Sequence, residues 1–308
     1  DLDNDGKPNF SDADDDGGGT ADNAGTDDDN DGVLDTDDND YDNDGIPDGS
    51  EGVGNITVFG SAPALLIASN TETVTIGNVG TNAAGNTDFG LIVNGTVNSD
   101  GIYDDVDSTA IQIGGPVDLN NDGDYVDAGE SAVGYHVEMN GGVRVDGTVT
   151  ARSYNGDAHA LWLRGDVDAD EIFVDGAVVA IASTTSAPLN DPDPTKREDA
   201  VEAVGIDIGA DSTVPLLNIG GFVSATGSGE NASAVAIRDA SGTLQTLNIT
   251  GTVVATIVRN DDADDTDDAD LDPNNETIKG RSIAIDLRND TTGVAITLAD
   301  KGPDGYDG

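Results

Sequence analysis

Aspartate and glycine recur at a fixed interval through the first fifty residues, in a pattern suited to a hard divalent cation. In registers of thirteen that begin at Asp1, Asp14, Asp27 and Asp40, the third position is Asp3, Asp16, Asp29 and Asp42. The sixth is always glycine: Gly6, Gly19, Gly32 and Gly45. Ca²⁺ takes roughly six to eight oxygens at about 2.3–2.6 Å. Side chains at positions one, three and five converge as the chain curls, and glycine at six permits the sharp turn. A carbonyl at seven and acids at nine and twelve then close the shell. Asp27, Asp29, Asp31, Asp35 and Asp38, with the Val33 carbonyl, fill every slot. So do Asp40, Asp42, Asp44, Asp48 and Glu51, with the Ile46 carbonyl. Asp1, Asp3, Asp5 and Asp12 make a third good loop. Asp14 and Asp16 belong to a degenerate unit, with Gly18 and Gly25 at its fifth and twelfth positions, or to one that reframes to start at Asp12.

The alternative is a solvated acidic arm, since residues 1–51 hold 20 acidic side chains and one lysine, Lys7. Random acidic sequence would not keep glycine in phase four times. The loops follow one another directly, with no room for the helices of an EF-hand. Tandem loops of this kind resemble thrombospondin type 3 repeats and the related calcium repeats of bacterial surface proteins, without the cysteines of the animal versions. The resemblance implies several bound Ca²⁺ ions. Repeats with no core of their own would be ordered by the metal, so that binding is folding.

A further loop candidate lies at residues 118–130. Asp118, Asn120 and Asp122 take positions one, three and five, Gly123 the turn, Asp124 the seventh, and Glu130 closes one place late. The stretch 261–276 holds Asp268, Asp270, Asp272 and Glu276 in a loop-like register without the glycine, and is expected to be a solvated acidic loop, with calcium binding as the alternative.

From about residue 53 the composition turns to short β-branched runs broken by Gly, Asn and Asp, the signature of strands. No stretch carries helical periodicity. A motif of aliphatic, any, Gly, any, Val recurs at 93–97, 145–149, 174–178, 219–223 and 249–253. The step is 29 residues from Val145 to Val174 and 30 from Ile219 to Ile249. It is 45 from Val174 to Ile219, across the Pro- and charge-rich SAPLNDPDPTKREDA. A second anchor precedes each motif: HVEM, ALWL, GIDI, VAIR and AIDL. Aromatics are only 4% of the chain, so small β-branched side chains must fill the core, which suits thin stacked layers. The expectation is an all-β chain forming a parallel β-helix, a β-solenoid of three-strand coils of about 30 residues. An antiparallel β-sandwich is the alternative. The solenoid would span 52–300, with insertions at 118–130, 184–200 and 260–278. Residues 301–308 would be an acidic turn or the start of a further segment, the whole reading as an excised piece of something longer. Residues 206–257 carry a resemblance to passenger repeats of autotransporter-type proteins of Gram-negative bacteria, which implies a place outside the cell or on its surface.

The net charge of −50, from 62 acidic and 12 basic residues, excludes nucleic acid as a natural partner. It also disfavours anionic lipid. The absence of cysteine removes disulfides and zinc–thiolate sites. No apolar run reaches the roughly 18 residues of a spanning helix. Basic and aromatic residues concentrate once, with Arg144, Arg152 and Arg164 near His136, Tyr154, His159 and Trp162. Ordinary surface pairing and half-buried packing explain such a group, and a glycan-binding patch is its functional alternative. The chain is expected to be structural and not an enzyme: a calcium-stabilised segment of an extracellular or cell-surface protein. It would associate with itself end to end or laterally into a fibre or layer. An adhesin for glycan or protein is the alternative, and a polysaccharide-active β-helix enzyme the third reading.

Overall fold

A computed structural model of the protein describes residues 54–77, 89–116, 134–184, 200–229, 232–258, 280–291 and 293–299. The chain divides into two units at Val53/Gly54, and the described residues all belong to the second. They contain strands and turns and no helix.

Short β-branched runs separated by turn residues produce short strands, and these fall into six successive repeats. The first is β1 (Asn55–Phe59), β2 (Leu65–Ile67), β3 (Val74–Ile76) and β4 (Leu91–Val93). The second is β5 (Thr96–Asp104), β6 (Ser108–Ile113), β7 (Val137–Met139) and β8 (Val143–Val145). The third is β9 (Thr148–Tyr154), β10 (Ala158–Leu163), β11 (Val167–Ala169) and β12 (Ile172–Val174). The fourth is β13 (Ala177–Ser183), β14 (Glu202–Ile208) and β15 (Leu216–Ile219). The fifth is β16 (Phe222–Ser228), β17 (Ser233–Asp239) and β18 (Thr246–Ile249). The sixth is β19 (Thr252–Val258), β20 (Ser282–Asp286) and β21 (Ala295–Leu298).

Each repeat visits the same sheets in the same order. The first sheet runs β1-β5-β9-β13-β16-β19, the second β2-β6-β10-β14-β17-β20, and the fourth β4-β8-β12-β15-β18-β21. Between the second and fourth lies a short third sheet, β3-β7-β11, continued into the fourth repeat only by the bridge Asp168–Thr213. All pairings are parallel, and every partner lies one repeat away. The antiparallel sandwich is thereby set aside.

Registered pairing stacks like on like. Val97, Val149, Val178, Val223 and Val253 form one row in the first sheet. Val93, Val145, Val174, Ile219 and Ile249 form another in the fourth. These are the two ends of the sequence motif, and both rows join one continuous apolar core. The glycine between them sits at the turn from fourth sheet to first. Gly54, Gly95, Gly147, Gly176, Gly221 and Gly251 stack so closely that a Cβ on Gly176 would lie 2.0 Å from the Gly147 carbonyl oxygen. The N–H of the next residue donates down the column, Thr148 to Gly95 and Ala177 to Gly147, each at 2.8 Å. Glycine is therefore required here by close approach and not by a left-handed φ.

Two expectations need correction. The second anchor of the second repeat is AIQI, not HVEM: Ile111 pairs with Leu161 of ALWL, while HVEM enters the third sheet opposite Val167–Ala169. Both segments alternate in and out with aliphatic residues, so pattern alone could not separate them. The first three repeats also carry four strands each, where three were expected. Segments 117–133, 185–199 and 259–279, where the insertions were read, lie outside the described residues. The strands on either side of each keep their register.

Gly176→Ala should destabilise the stack by about 3 kcal/mol through overpacking. That corresponds to a melting temperature lower by roughly 6–12 °C. Gly54→Ala, whose Cβ meets nothing within 4 Å, is the control and should melt with the wild type.

Candidate functional site

On a straight strand, side chains three residues apart point to opposite faces. His159 and Trp162 nevertheless stack, with ring centroids 4.3 Å apart and planes 16° from parallel. The strand bends between them, and the same bend recurs along the second sheet. The pairing skips one position in every repeat from the second to the sixth: Ala110, Ala160, Gly205, Ala236 and Ala284. Small residues occupy the bend because it is crowded from inside. A Cβ on Gly205 would come 2.5 Å from the Ala236 oxygen and 3.1 Å from Val223 Cγ1 in the first sheet. Two consecutive residues, such as Ala160 and Leu161, then face the core, and both are fully buried. The outer face folds toward itself. Its residues are sheltered although they point outward: His159 is 8% exposed, Gln112 5% and Asp207 4%.

A polar network occupies this sheltered strip across three repeats. Arg238 on β17 grips Asp207 on β14 with both arms, Nε at 2.9 Å and Nη2 at 2.6 Å. Its Nη1 donates to Glu202 Oε2 at 2.6 Å. His159 Nδ1 on β10 lies 3.3 Å from Asp207 Oδ2, close enough for an ion pair though off the line of a hydrogen bond. Burial alone would raise the Asp207 carboxyl. Hydrogen bonding to Arg238, with a smaller pull from His159, overcomes it and holds the group below the usual carboxylate range. The same hydrogen bond with Asp207, against the opposing effect of burial, drives the Arg238 guanidinium upward. The Arg164 guanidinium rests 4.7 Å from the Trp162 ring centre. At the corner leading into the second sheet, acids stack directly. The Asp157 N–H donates to Asp107 Oδ1 at 2.8 Å, and the Glu202 N–H to Asp157 Oδ1 at 2.7 Å. Burial raises the Asp157 carboxyl; the Glu202 N–H opposes this and Asp107 adds to it.

The basic and aromatic group read from the sequence is divided among the sheets. His159, Trp162 and Arg164 come together at the bend. Arg152 and Tyr154 face outward from the first sheet, Tyr154 44% exposed. Arg144 belongs to the fourth sheet, 5.1 Å from the Phe173 ring centre and 5.9 Å from that of Phe89, with its Nε on both oxygens of Asp146. His136 meets Asp166 at 3.0 Å beside the third sheet. Sequence reasoning missed Asp207 and Arg238. Their signal was present: both stand at the position of GIDI and AIRD that Trp162 holds in ALWL, and reading down the repeat register aligns all three. Chemically, the network neutralises and clamps. Asp207 is bound to a guanidinium and not poised as a base.

The loop ligands read from the sequence, Asp1 to Glu51 and Asp118, Asn120, Asp122, Asp124 and Glu130, lie outside the described residues. Among the described residues, no group of three or more His, Asp or Glu is placed to hold a metal ion. No family model, curated protein or solved structure matches the chain.

Asp207→Asn should destabilise the protein by about 2–3 kcal/mol, the lower side for breaking a sheltered pair because Glu202 still faces Arg238. The native carboxyl is depressed, so its contribution is present above the unfolded value of about 3.9 and lost as pH falls through the lower native one. Paired thermal melts should show the full gap between wild type and Asn variant at neutral pH, closing below about pH 4.

Proposed function

We propose that the repeats close into a parallel β-solenoid that serves as a rigid structural segment of an extracellular or cell-surface protein, of a Gram-negative bacterium by the resemblance of its repeats. The observation that carries this reading is the unbroken parallel register through six repeats. A chain built this way transmits force through main-chain hydrogen bonds and core rows, with each repeat touching chiefly its neighbours. The aspartate loops of residues 1–51 supply the calcium dependence. Extracellular calcium modules bind at about 10⁻⁴–10⁻³ M, so such loops fill where external calcium is plentiful.

Self-association is part of the proposal. Among the described residues, the strands of the first and sixth repeats have a partner on one side only. Apolar side chains stand exposed there: Phe59 is 62% exposed, Ile296 54% and Leu298 75%. Open strand edges with apolar side chains are templates for another strand, which supports end-to-end growth into a fibre or layer. The structural reading is favoured over a polysaccharide enzyme by the positions of the arginines. Arg144 lies in the fourth sheet, Arg152 in the first, and Arg164 just beyond β10 of the second. They do not converge on one cationic groove.

Electron microscopy of the chain in calcium and after chelation tests the proposal. Filaments or layers in calcium that disperse in EDTA are expected. Dispersed monomers under both conditions, with binding to a glycan array, would overturn it in favour of an adhesin.

A further inference from the structure

One inward row of the second sheet carries Ile113, Leu163 and Ile208, and then Asp239. A carboxylate thus stands where three preceding repeats place a buried aliphatic side chain, and it is only 2% exposed. Its Oδ1 accepts from the Ser241 N–H at 2.8 Å and the Ser241 hydroxyl at 2.6 Å. Its Oδ2 is buried with no partner. One repeat later, in the turn between β20 and β21, Asp290 buries both carboxylate oxygens, facing Asp239 and the Leu244 N–H without a well-aligned hydrogen bond. Hydroxyl groups adjoin Asp239. Ser241 Oγ is 2.8 Å from Thr243 Oγ1, whose hydroxyl donates to the Ser212 carbonyl at 3.3 Å.

Among the described residues, no guanidinium is paired with these oxygens. Arg238 is held by Asp207 and Glu202, and Arg288 by Asp286. A buried carboxylate without a counter-charge is among the most costly groups a core can hold. Burial, and then the charge of Asp239, push the Asp290 carboxyl up to about 6. The two carboxyl groups meet where the turn after β20 lies against the turn after β17, the Asn289 side-chain amide donating to the Ala240 carbonyl at 3.0 Å. A hard divalent cation satisfies such a site, where carboxylate and hydroxyl oxygens replace its water.

We propose that Asp239 and Asp290 bind one Ca²⁺ ion that fastens the fifth repeat to the sixth. This site lies within the strand stack and does not depend on the loops of residues 1–51. The ion supplies the counter-charge that lets the aliphatic row be interrupted, and it holds β20 and β21 onto β17 and β18 at the end of the described stack.

Anomalous diffraction from crystals of the full chain grown in calcium chloride locates the ion directly. The expected result is a peak between Asp239 and Asp290, with their oxygens at about 2.3–2.6 Å. In solution, Asp290→Asn and the row-restoring Asp239→Leu are compared with wild type in EDTA and in calcium. Calcium should raise the wild-type melting temperature by roughly 5 °C more than that of either variant. In EDTA, Asp239→Leu should melt above wild type. No peak at the pair, with equal calcium-induced rises in all three proteins, would overturn the proposal and leave a carboxyl pair sharing a proton. Peaks confined to residues 1–51 would overturn it while leaving the loop reading intact.

Discussion

Parallel pairing at a fixed strand spacing of about 4.8 Å is the constraint on which the rest of this chain depends. Once the main chain of each repeat hydrogen-bonds to the last in register, every residue sits on its counterpart, and only side chains that tolerate their own kind can recur. Valine on valine fills the core rows, and glycine on glycine closes the turn at contact too tight for a Cβ. Polar side chains follow the same rule on the outside, where Asn248 donates to Asn218 across the fourth sheet at 2.8 Å. The bend of the second sheet obeys it too, because a kink in one strand must be matched by its neighbours. Alanine or glycine at each bend is the result.

Like-on-like stacking is dangerous for a chain with a net charge of −50, since carboxylates also stack. The described residues show three ways of managing it. A guanidinium can be interleaved, as Arg238 is against Asp207. A main-chain N–H of the next repeat can be placed on an acid, as that of Asp157 is on Asp107 and that of Glu202 on Asp157. Or two carboxyl groups can be left facing each other, as at Asp239 and Asp290, where the proposed Ca²⁺ ion would balance them. Calcium would then act in the loops and within the stack by one principle, converting repulsion between acids into attachment.

The sequence revealed whatever the backbone imposes in every repeat. The motif of aliphatic, Gly and Val fell in register because the glycine column admits no substitute, so its spacing carried the repeat length. Strand type and parallel stacking followed from short β-branched runs at steps near 30 residues. The bend was not legible, because alanine and glycine are too common in this chain to stand out singly. The pairing of HVEM was misread because a three-residue alternation of aliphatic and polar fits the second and third sheets equally. Asp207 and Arg238 are 31 residues apart, and Asp239 and Asp290 lie in successive repeats, so only the register brings each pair together. Among so many acids, a carboxylate at a core position becomes visible when IDI of one repeat is laid on IRD of the next.

The stacking itself is open to direct measurement. The chain has no cysteine, so a pair introduced for spin labels reports without ambiguity. Thr57 and Val254 occupy one row of the first sheet, through Asn98, Thr150, Val179 and Ser224, and both ends are exposed. Five strand steps of about 4.8 Å place them about 24 Å apart. A narrow distance distribution by pulsed electron resonance, centred within a label's length of that value, is what the registered parallel stack predicts. A broad distribution, or a mean beyond about 35 Å, would contradict it.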